Sequence, residues 1–377
     1  MKKNKSFVFL SLLIFVLSAC SPVLDDSGGT GNSEGTEAPQ NSSNVVTRNQ
    51  LGADYYRPAL DEEGRYLTSK NRGITLNLNS GINISLFEKD LMRLSQESFP
   101  TDEYFMQEGQ KLPGDLVNTW VGRESEDNPE GLNPPETGDD DDRAPNYLNS
   151  ILEFDFFTET DDGLQLSGVS IGLAMNSIDY YPAYQYGPTL EQEISSEEVL
   201  SEGQKIADEV VRRMREMDGL EDIPIFVGIY EQAAQDALAG GVYVAGGQST
   251  DGSDSIQSWD TLNENRLIFP LEGSDSAEGN AFANFQSEVE DFFPNISGVT
   301  GQAHYVDDQL QDLTIEIMTQ FYGEAEMVSF TQYLKQSATT YLPGEIDVEI
   351  VVESPGEVEA FLKRERTDSE YFSYVFD

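Results

Sequence analysis

Among the 377 residues there is a single cysteine, Cys20. No disulfide can therefore form within the chain, and its core has to come from ordinary apolar burial. The position of that cysteine says more. Lys2, Lys3 and Lys5 are followed by an almost unbroken apolar run over residues 7–17, the charged-then-greasy order of an export signal. Residues 7–19 include Ser11 and Ser18 and fall short of the roughly 20 apolar residues a membrane-crossing helix needs. In Leu17-Ser18-Ala19-Cys20, small residues admit a peptidase and the thiol can take a diacylglyceryl group before the cut, which is a lipobox. Residues 1–19 read as a lipoprotein signal peptide and Cys20 as the lipidated first residue of the mature protein. Two acyl chains on one residue anchor stably. The expected location is the extracytoplasmic face of the cell membrane. The expected partners of this end are the lipid bilayer, a diacylglyceryl transferase and a lipoprotein signal peptidase.

Charge narrows the body's partners. Sixty-nine acidic residues against 22 basic ones give a formal net charge of −47, and removal of Lys2, Lys3 and Lys5 with the signal takes it to about −50. Nucleic acid is excluded, because phosphate binding needs clustered Lys and Arg. An anionic leaflet repels such a body, so the lipid has to hold it. Residues 20–50 are rich in Gly, Ser, Asn, Thr and Glu and are expected to form a disordered tether, with a reach of roughly 30 Å. A second polar stretch, 122–146, contains Pro129, Pro134, Pro135 and the run Asp139-Asp140-Asp141-Asp142 and reads as an acidic surface-loop insertion. That run lacks the alternate oxygens, Gly and distant Glu of an EF-type calcium loop, so no metal is assigned.

The remaining segments alternate strand and helix patterns, and do so twice. In the first half the pattern predicts a strand at 73–78, a helix at 86–99 ended by Pro100, strands at 104–109 and 167–175, a helix at 199–217 and a strand at 223–230. Ser195 with Glu198 offers a capping box to that second helix, Ile206, Ala207, Val210, Met214 and Met217 share one face, and Gly219 supplies the stop. In the second half the order recurs, with strands at 266–271, 299–305, 313–320 and 346–353 and helices at 282–293 and 327–341. Phe87-x3-Leu91 before Phe99-Pro100 parallels Phe285-x3-Val289 before Phe293-Pro294. Likewise Asp161-Asp162-Gly163-Leu164-Gln165 parallels Asp307-Asp308-Gln309-Leu310-Gln311. The fold class expected is α+β, as two tandem β-α-β-β-α-β repeats of the split βαβ kind, over residues 51–235 and 236–377.

The catalytic inventory is mostly negative. One histidine and no mature cysteine beyond the lipidated one leave out a cysteine nucleophile and a multi-histidine zinc site. His304, on an alternating stretch, reads as a strand residue with an ordinary partner rather than a general base. The glycines around Val242-Tyr243-Val244 fit a hairpin or flexible loop better than a phosphate cradle. Paired carboxylates could support glycoside-type hydrolysis, with Glu316 the acid of most interest, yet no feature favours that option. No cofactor is assigned, and the chain is expected not to be an enzyme. The richest recognition segment is residues 179–187, where Tyr180, Tyr181, Tyr184 and Tyr186 could offer rings and hydroxyls to a cell-wall sugar or peptide. Alternatively, their rings merely cover a sheet edge.

One resemblance covers nearly all of the chain after residue 50. Leu91-Met92-Arg93-Leu94-Ser95-Gln96, Gln107-Glu108-Gly109-Gln110, Gly131-Leu132-Asn133-Pro134 and Gly172-Leu173-Ala174-Met175-Asn176-Ser177 carry its first part. Residues 202–210, Asp218-Gly219-Leu220, Asp307-Asp308-Gln309-Leu310-Gln311, Gln320-Phe321-Tyr322-Gly323 and Phe330-Thr331-Gln332 continue it. As a set they resemble the CamS-type sex-pheromone precursor lipoproteins of staphylococci and bacilli. The resemblance implies that a short hydrophobic peptide, cut from the end of the signal, is similar to a mating pheromone sensed by enterococci carrying a conjugative plasmid. Here the corresponding residues are Leu13, Ile14, Phe15, Val16, Leu17, Ser18 and Ala19. They keep the Ile-Phe-x-Leu core and differ at the first and last positions. Two readings stand for the chain: a precursor of such a peptide, or a cell-surface binding module.

Overall fold

A computed structural model describes residues 50–377, except 62, 76–77, 137–142, 185, 272–275, 293–295, 321–322 and 377. The signal, Cys20, the tether up to residue 49, the four-aspartate run and Pro294 lie outside the described residues. The chain forms β1 (Arg57–Pro58), α1 (Arg72–Thr75), α2 (Gly81–Ser98), β2 (Phe105–Glu108), α3 (Gly114–Val121), β3 (Leu148–Thr160) and β4 (Gly163–Asn176). It continues with β5 (Ile178–Pro182), β6 (Thr189–Glu193), α4 (Ser196–Arg215), β7 (Ile225–Gln232), β8 (Val242–Ser249) and β9 (Ser258–Thr261). The later elements are β10 (Glu264–Phe269), α5 (Ala277–Phe292), β11 (Ile296–Val306), β12 (Gln309–Thr319), α6 (Glu324–Tyr341), β13 (Asp347–Ser354), β14 (Glu357–Arg364) and β15 (Phe372–Val375).

The described residues form a mixed α/β body with two large sheets and one small one. The first sheet runs β1-β2-β3-β4-β7-β8-β9, the second β10-β11-β12-β13-β14-β15, and β5 pairs with β6 alone. Each large sheet has a parallel pair with a single helix in its crossover, α4 between β4 and β7 and α6 between β12 and β13. The first sheet has a second parallel pair, β1 with β2, whose connection contains α1 and α2. Parallel neighbours need such a connection, whereas antiparallel ones can turn back directly. The hairpin between β11 and β12 turns at Asp307 and Asp308, with φ of 51° and 60°, the left-handed pair of a two-residue type I′ turn. In the matching hairpin, between β3 and β4, Gly163 at φ 115° takes up the turn's strain.

Local chemistry explains the helices that position the rest. Ser80 accepts from the N–H of Asn83 at the start of α2, and Ser195 from that of Glu198 at the start of α4. Glu197 and Glu198 lie in the first turn of α4 and Arg212, Arg213 and Arg215 in the last, which suits the helix dipole at both ends. Its buried stripe, Val199, Gly203, Ile206, Ala207, Val210, Val211 and Met214, packs with Val169, Ile171 and Leu173 of β4 and Val227 and Ile229 of β7. A second cluster, Phe87, Leu91, Phe99, Phe154, Phe156, Tyr230 and Tyr243, holds α2 to the same sheet. A third lies between α5, α6 and the second sheet, around Phe282, Phe285, Phe330, Ile315 and Ile350.

Several expectations need correction. The strand expected at 73–78 does not form at its start: Arg72–Thr75 form a short helix, and residues 76 and 77 lie outside the described residues. So short a stretch carries no period that separates the two states. The pattern reading missed α3 and all of β3. The second half shows the order β10-α5-β11-β12-α6-β13 and then adds β14 and β15, while in the first sheet α2 has no strand of the expected kind before it. The change of sheet falls between Thr261 and Glu264, with the 242–247 segment forming β8 as an antiparallel partner of β7. The 122–146 stretch is pinned where it is described. Buried Asn133 donates to the carbonyls of Val121 (2.7 Å) and Leu148 (2.8 Å) and accepts from the N–H groups of Tyr147 and Leu148.

Candidate functional site

The four tyrosines of the recognition segment do not form one platform. Tyr180 and Tyr181 are adjacent on β5, opposite Glu191 and Leu190 of β6, so their side chains leave on opposite faces. Tyr180 accepts through its hydroxyl from the N–H of Gln235 at 3.3 Å. The Tyr181 ring lies under the Arg143 guanidinium, 4.0 Å from its centroid. Arg143 is in turn held by the buried carboxylate of Asp179, which also accepts from the N–H of Asn146 at 2.9 Å. Two of the four rings thus fasten the hairpin to the body. The other two, Tyr184 and Tyr186, stand at its tip with 68% and 95% exposure. Tyr186 holds φ at 67°, which for an L-residue costs roughly 1–2 kcal/mol. What the hairpin can offer a ligand is therefore two tip rings.

The sole histidine sits in a different place, in a charged joint between α2 and the second sheet. Asp90 and Arg93 are three residues apart on α2 and share a face. Glu264 and Arg266 share a face of β10 by the period of two, Arg266 is opposite His304 on β11, and His304 is opposite Asp312 on β12. Arg93 reaches both Glu264 carboxylate oxygens at 2.8 Å, and Arg266 reaches Asp90 at 2.7 Å. His304 Nδ1 lies 2.8 Å from Asp312 and Nε2 lies 3.1 Å from Glu264. With both ring nitrogens facing carboxylates, the residue has the partners expected for a strand histidine. Neither nitrogen is left to take a substrate proton.

Burial alone would lower the His304 pKa, but the hydrogen bonds to Asp312 and Glu264 outweigh it and hold the imidazole above its ordinary value. The two carboxylates are likewise pushed up by burial and brought below their ordinary values by His304, with Arg93 also acting on Glu264. The raised histidine contributes stability that is fully present below about pH 6.5, the ordinary histidine value. That contribution is lost as the pH climbs through its folded value. The lowered carboxylates contribute stability above their ordinary range that is lost as the pH falls through their folded values. His304→Gln is expected to lose roughly 1–3 kcal/mol near pH 6 and progressively less in alkaline buffer. Urea unfolding midpoints across that range check this, and a loss independent of pH would contradict it.

The structure also holds a buried pair of acids that the pattern reading passed over. Glu153 and Asp155 are two apart on β3 and share a face; both are buried. Glu153 accepts from the backbone N–H groups of Lys111 (2.9 Å) and Leu112 (2.8 Å), and Asp155 from that of Gln110 (2.9 Å). Burial raises the pKa of both, and the charge of Glu153 raises Asp155 further. The second oxygen of Asp155 has no donor, while the two side chains are within hydrogen-bonding reach of each other. The pair therefore closes when Asp155 keeps a proton and Glu153, with its backbone donors, carries the charge. A Cβ added to Gly109 would lie 2.4 Å from Glu153, so backbone fills the space in front of the acids. They clamp residues 109–112 onto β3. Their signal in the sequence was two acids inside the apolar run of residues 151–157. Glu316, by contrast, is exposed on β12.

An open groove of about 470 Å³ lies beside α3, lined by Asn118, Thr119, Asp127, Asn128, Pro129 and Glu130. Asn128 is already spent on the carbonyls of Thr119 and Arg123. Among the described residues no group of three or more His, Cys, Asp or Glu side chains is arranged to hold a metal ion.

Two crossover-containing sheets, a projecting tyrosine hairpin and a charged joint make up a mixed α/β body. The family described as CamS sex pheromone cAM373 precursor matches residues 66–370, and the chain belongs to it. The chain is similar to the crystal structure of a sex pheromone precursor from Lactobacillus salivarius, at 37% identity and a TM-score of 0.83, covering 88% of this chain and 98% of that one. It is also similar to the C-terminal domain of the sex pheromone staph-cAM373 precursor from Staphylococcus aureus, at 29% identity and a TM-score of 0.71, covering 80% of this chain and 98% of that one. No curated protein matches the chain.

Proposed function

We propose that the chain is a non-catalytic, lipid-anchored lipoprotein of the extracytoplasmic membrane face whose signal peptide releases a short hydrophobic pheromone-like peptide, residues 13–19. The observation that carries this reading is the lipobox Leu17-Ser18-Ala19-Cys20 behind an Ile14-Phe15-Val16-Leu17 core, in a chain whose body belongs to a pheromone-precursor family. Diacylglyceryl transferase and signal peptidase act on this end, and the tether of residues 20–50 carries the body clear of the bilayer. The two crossovers, through α4 and α6, support reading the body as diverged copies of one unit. Mass spectrometry of culture medium is expected to find residues 13–19 or a trimmed form of them, and the synthetic peptide is expected to clump plasmid-bearing recipients. An inactive peptide would remove the signalling claim.

Exposure of Tyr184 and Tyr186 favours a second reading, in which the hairpin tip contacts a cell-wall sugar or peptide. Alanine at both positions is expected to reduce retention on wall fragments and to leave the unfolding midpoint unchanged, since neither ring is buried. Unaltered retention would end that assignment.

A further inference from the structure

We propose that the outer edge of β15 is a strand-addition site for an extended, basic segment of a partner protein. β15 closes one end of the second sheet, pairing with β14 on one side. Phe376 donates its N–H to the carbonyl of Glu359. By the antiparallel alternation, the N–H groups of Phe372 and Tyr374 also turn to β14, and those of Ser373 and Val375 turn outward. Edge strands are normally blunted by charge, proline or a bulge. Among the outer strands of the first sheet, β1 carries Arg57 and Pro58 and β9 carries Asp260. β15, with the sequence Phe-Ser-Tyr-Val, has neither charge nor proline.

The same edge carries an aromatic stripe. Val375 turns toward the core, while Phe372, Tyr374 and Phe376 leave on the other face with 64%, 50% and 46% exposure. Peptides that add to an edge draw affinity from main-chain hydrogen bonds and specificity from alternate side chains, and this stripe meets alternate residues of such a peptide.

Charge selects the occupant. Glu357, Asp368 and Glu370 flank the strand as exposed acids. Of the nearby cations, Lys335 makes one long 3.9 Å ion pair with Glu370, and Lys363 is shared between Glu349 (3.7 Å) and Glu365 (3.6 Å). A second copy pairing about a two-fold axis would set these acids against themselves, and a chain of net charge −47 is repelled by its own kind and by an anionic leaflet. A segment alternating Lys or Arg with apolar residues meets the acids with one set of side chains and the stripe with the other.

The test titrates the full chain at about 0.15 M salt with a labelled peptide of about eight residues alternating Lys and Val, against one alternating Glu and Val. The Lys-Val peptide is expected to bind, the Glu-Val peptide to fail, and hydrogen exchange at the Ser373 and Val375 amides to slow on binding. Ser373→Pro removes one outward N–H without touching the β14 ladder and is expected to weaken binding about tenfold. Equal binding by Ser373→Pro would reduce the effect to general charge attraction and overturn the proposal. So would dimerisation through β15, seen as a concentration-dependent mass that the proline variant loses. Should that variant not fold, unchanged exchange at Ser373 and Val375 in the unaltered chain overturns the proposal by itself.

Discussion

Asp90→Ala is expected to cost about 3–5 kcal/mol of folding stability, because it strips the partner from a buried guanidinium rather than removing an ion pair cleanly. Arg266 is 8% exposed and its Nε already lacks an acceptor. The Asp90 carboxylate pairs with it at 2.7 Å. Without it, the cation has to be solvated inside the joint or swing out, breaking the packing between α2 and β10. Coulomb attraction gained by the pair in the wild type matters less than the desolvation left uncompensated in the variant. Arg266→Met on the same background is therefore expected to recover most of the loss, since an apolar pair of similar volume is often neutral in such a place. Urea unfolding of both variants measures this. A cost below about 1 kcal/mol for the single variant is what a solvated surface pair would show, and it would mean that water reaches the joint.

Cys20→Ser is expected to abolish both products of the N-terminus at once. Acylation precedes the cut in the proposed processing, so a hydroxyl at this position leaves residues 1–19 attached and no peptide from residues 13–19 in the medium. Each buried methylene contributes ~0.8 kcal/mol to anchoring, and a body of net charge about −50 has nothing comparable with which to hold an anionic membrane. Between Lys5 and Arg48 there is no Lys or Arg, so trypsin yields one fragment, residues 20–48, that carries all of the lipid. Its mass is expected to include two acyl chains in the wild type and to be absent from the variant. Cleavage before position 20 in the variant, or the heptapeptide in its medium, would contradict the proposed order of processing.

Features decided by a few neighbouring residues were legible in the sequence. The cap at Ser195 and the stripe of α4 depend on contacts within one helix, whereas the helix stops at Arg215 with Glu216 as its cap, three residues before the Gly219 turn at φ 81°. The turn at Asp307 and Asp308 was visible as a parallel to Asp161-Asp162, although the left-handed geometry of both residues was not. β3 was illegible because Glu153 and Asp155 interrupt its apolar run, and what makes them tolerable inside is a set of backbone donors from residues 110–112, about 40 positions earlier. The tyrosine segment was legible as a group and misleading as a surface, since Arg143 and Gln235, which take up two of its rings, come from elsewhere in the chain.

By itself the sequence determined the family, the acidic body, the absence of an internal disulfide and the expected division at Cys20, because each is a matter of residue identity and order. Tertiary structure alone decided that His304 would be locked between two carboxylates, that Asp90 would meet Arg266 from 176 residues away, and that β15 would have one paired neighbour, β14, among the described residues. Each of these depends on which distant groups share a buried volume or fail to, and desolvation, unlike helix capping or turn geometry, is not a property of neighbours in sequence.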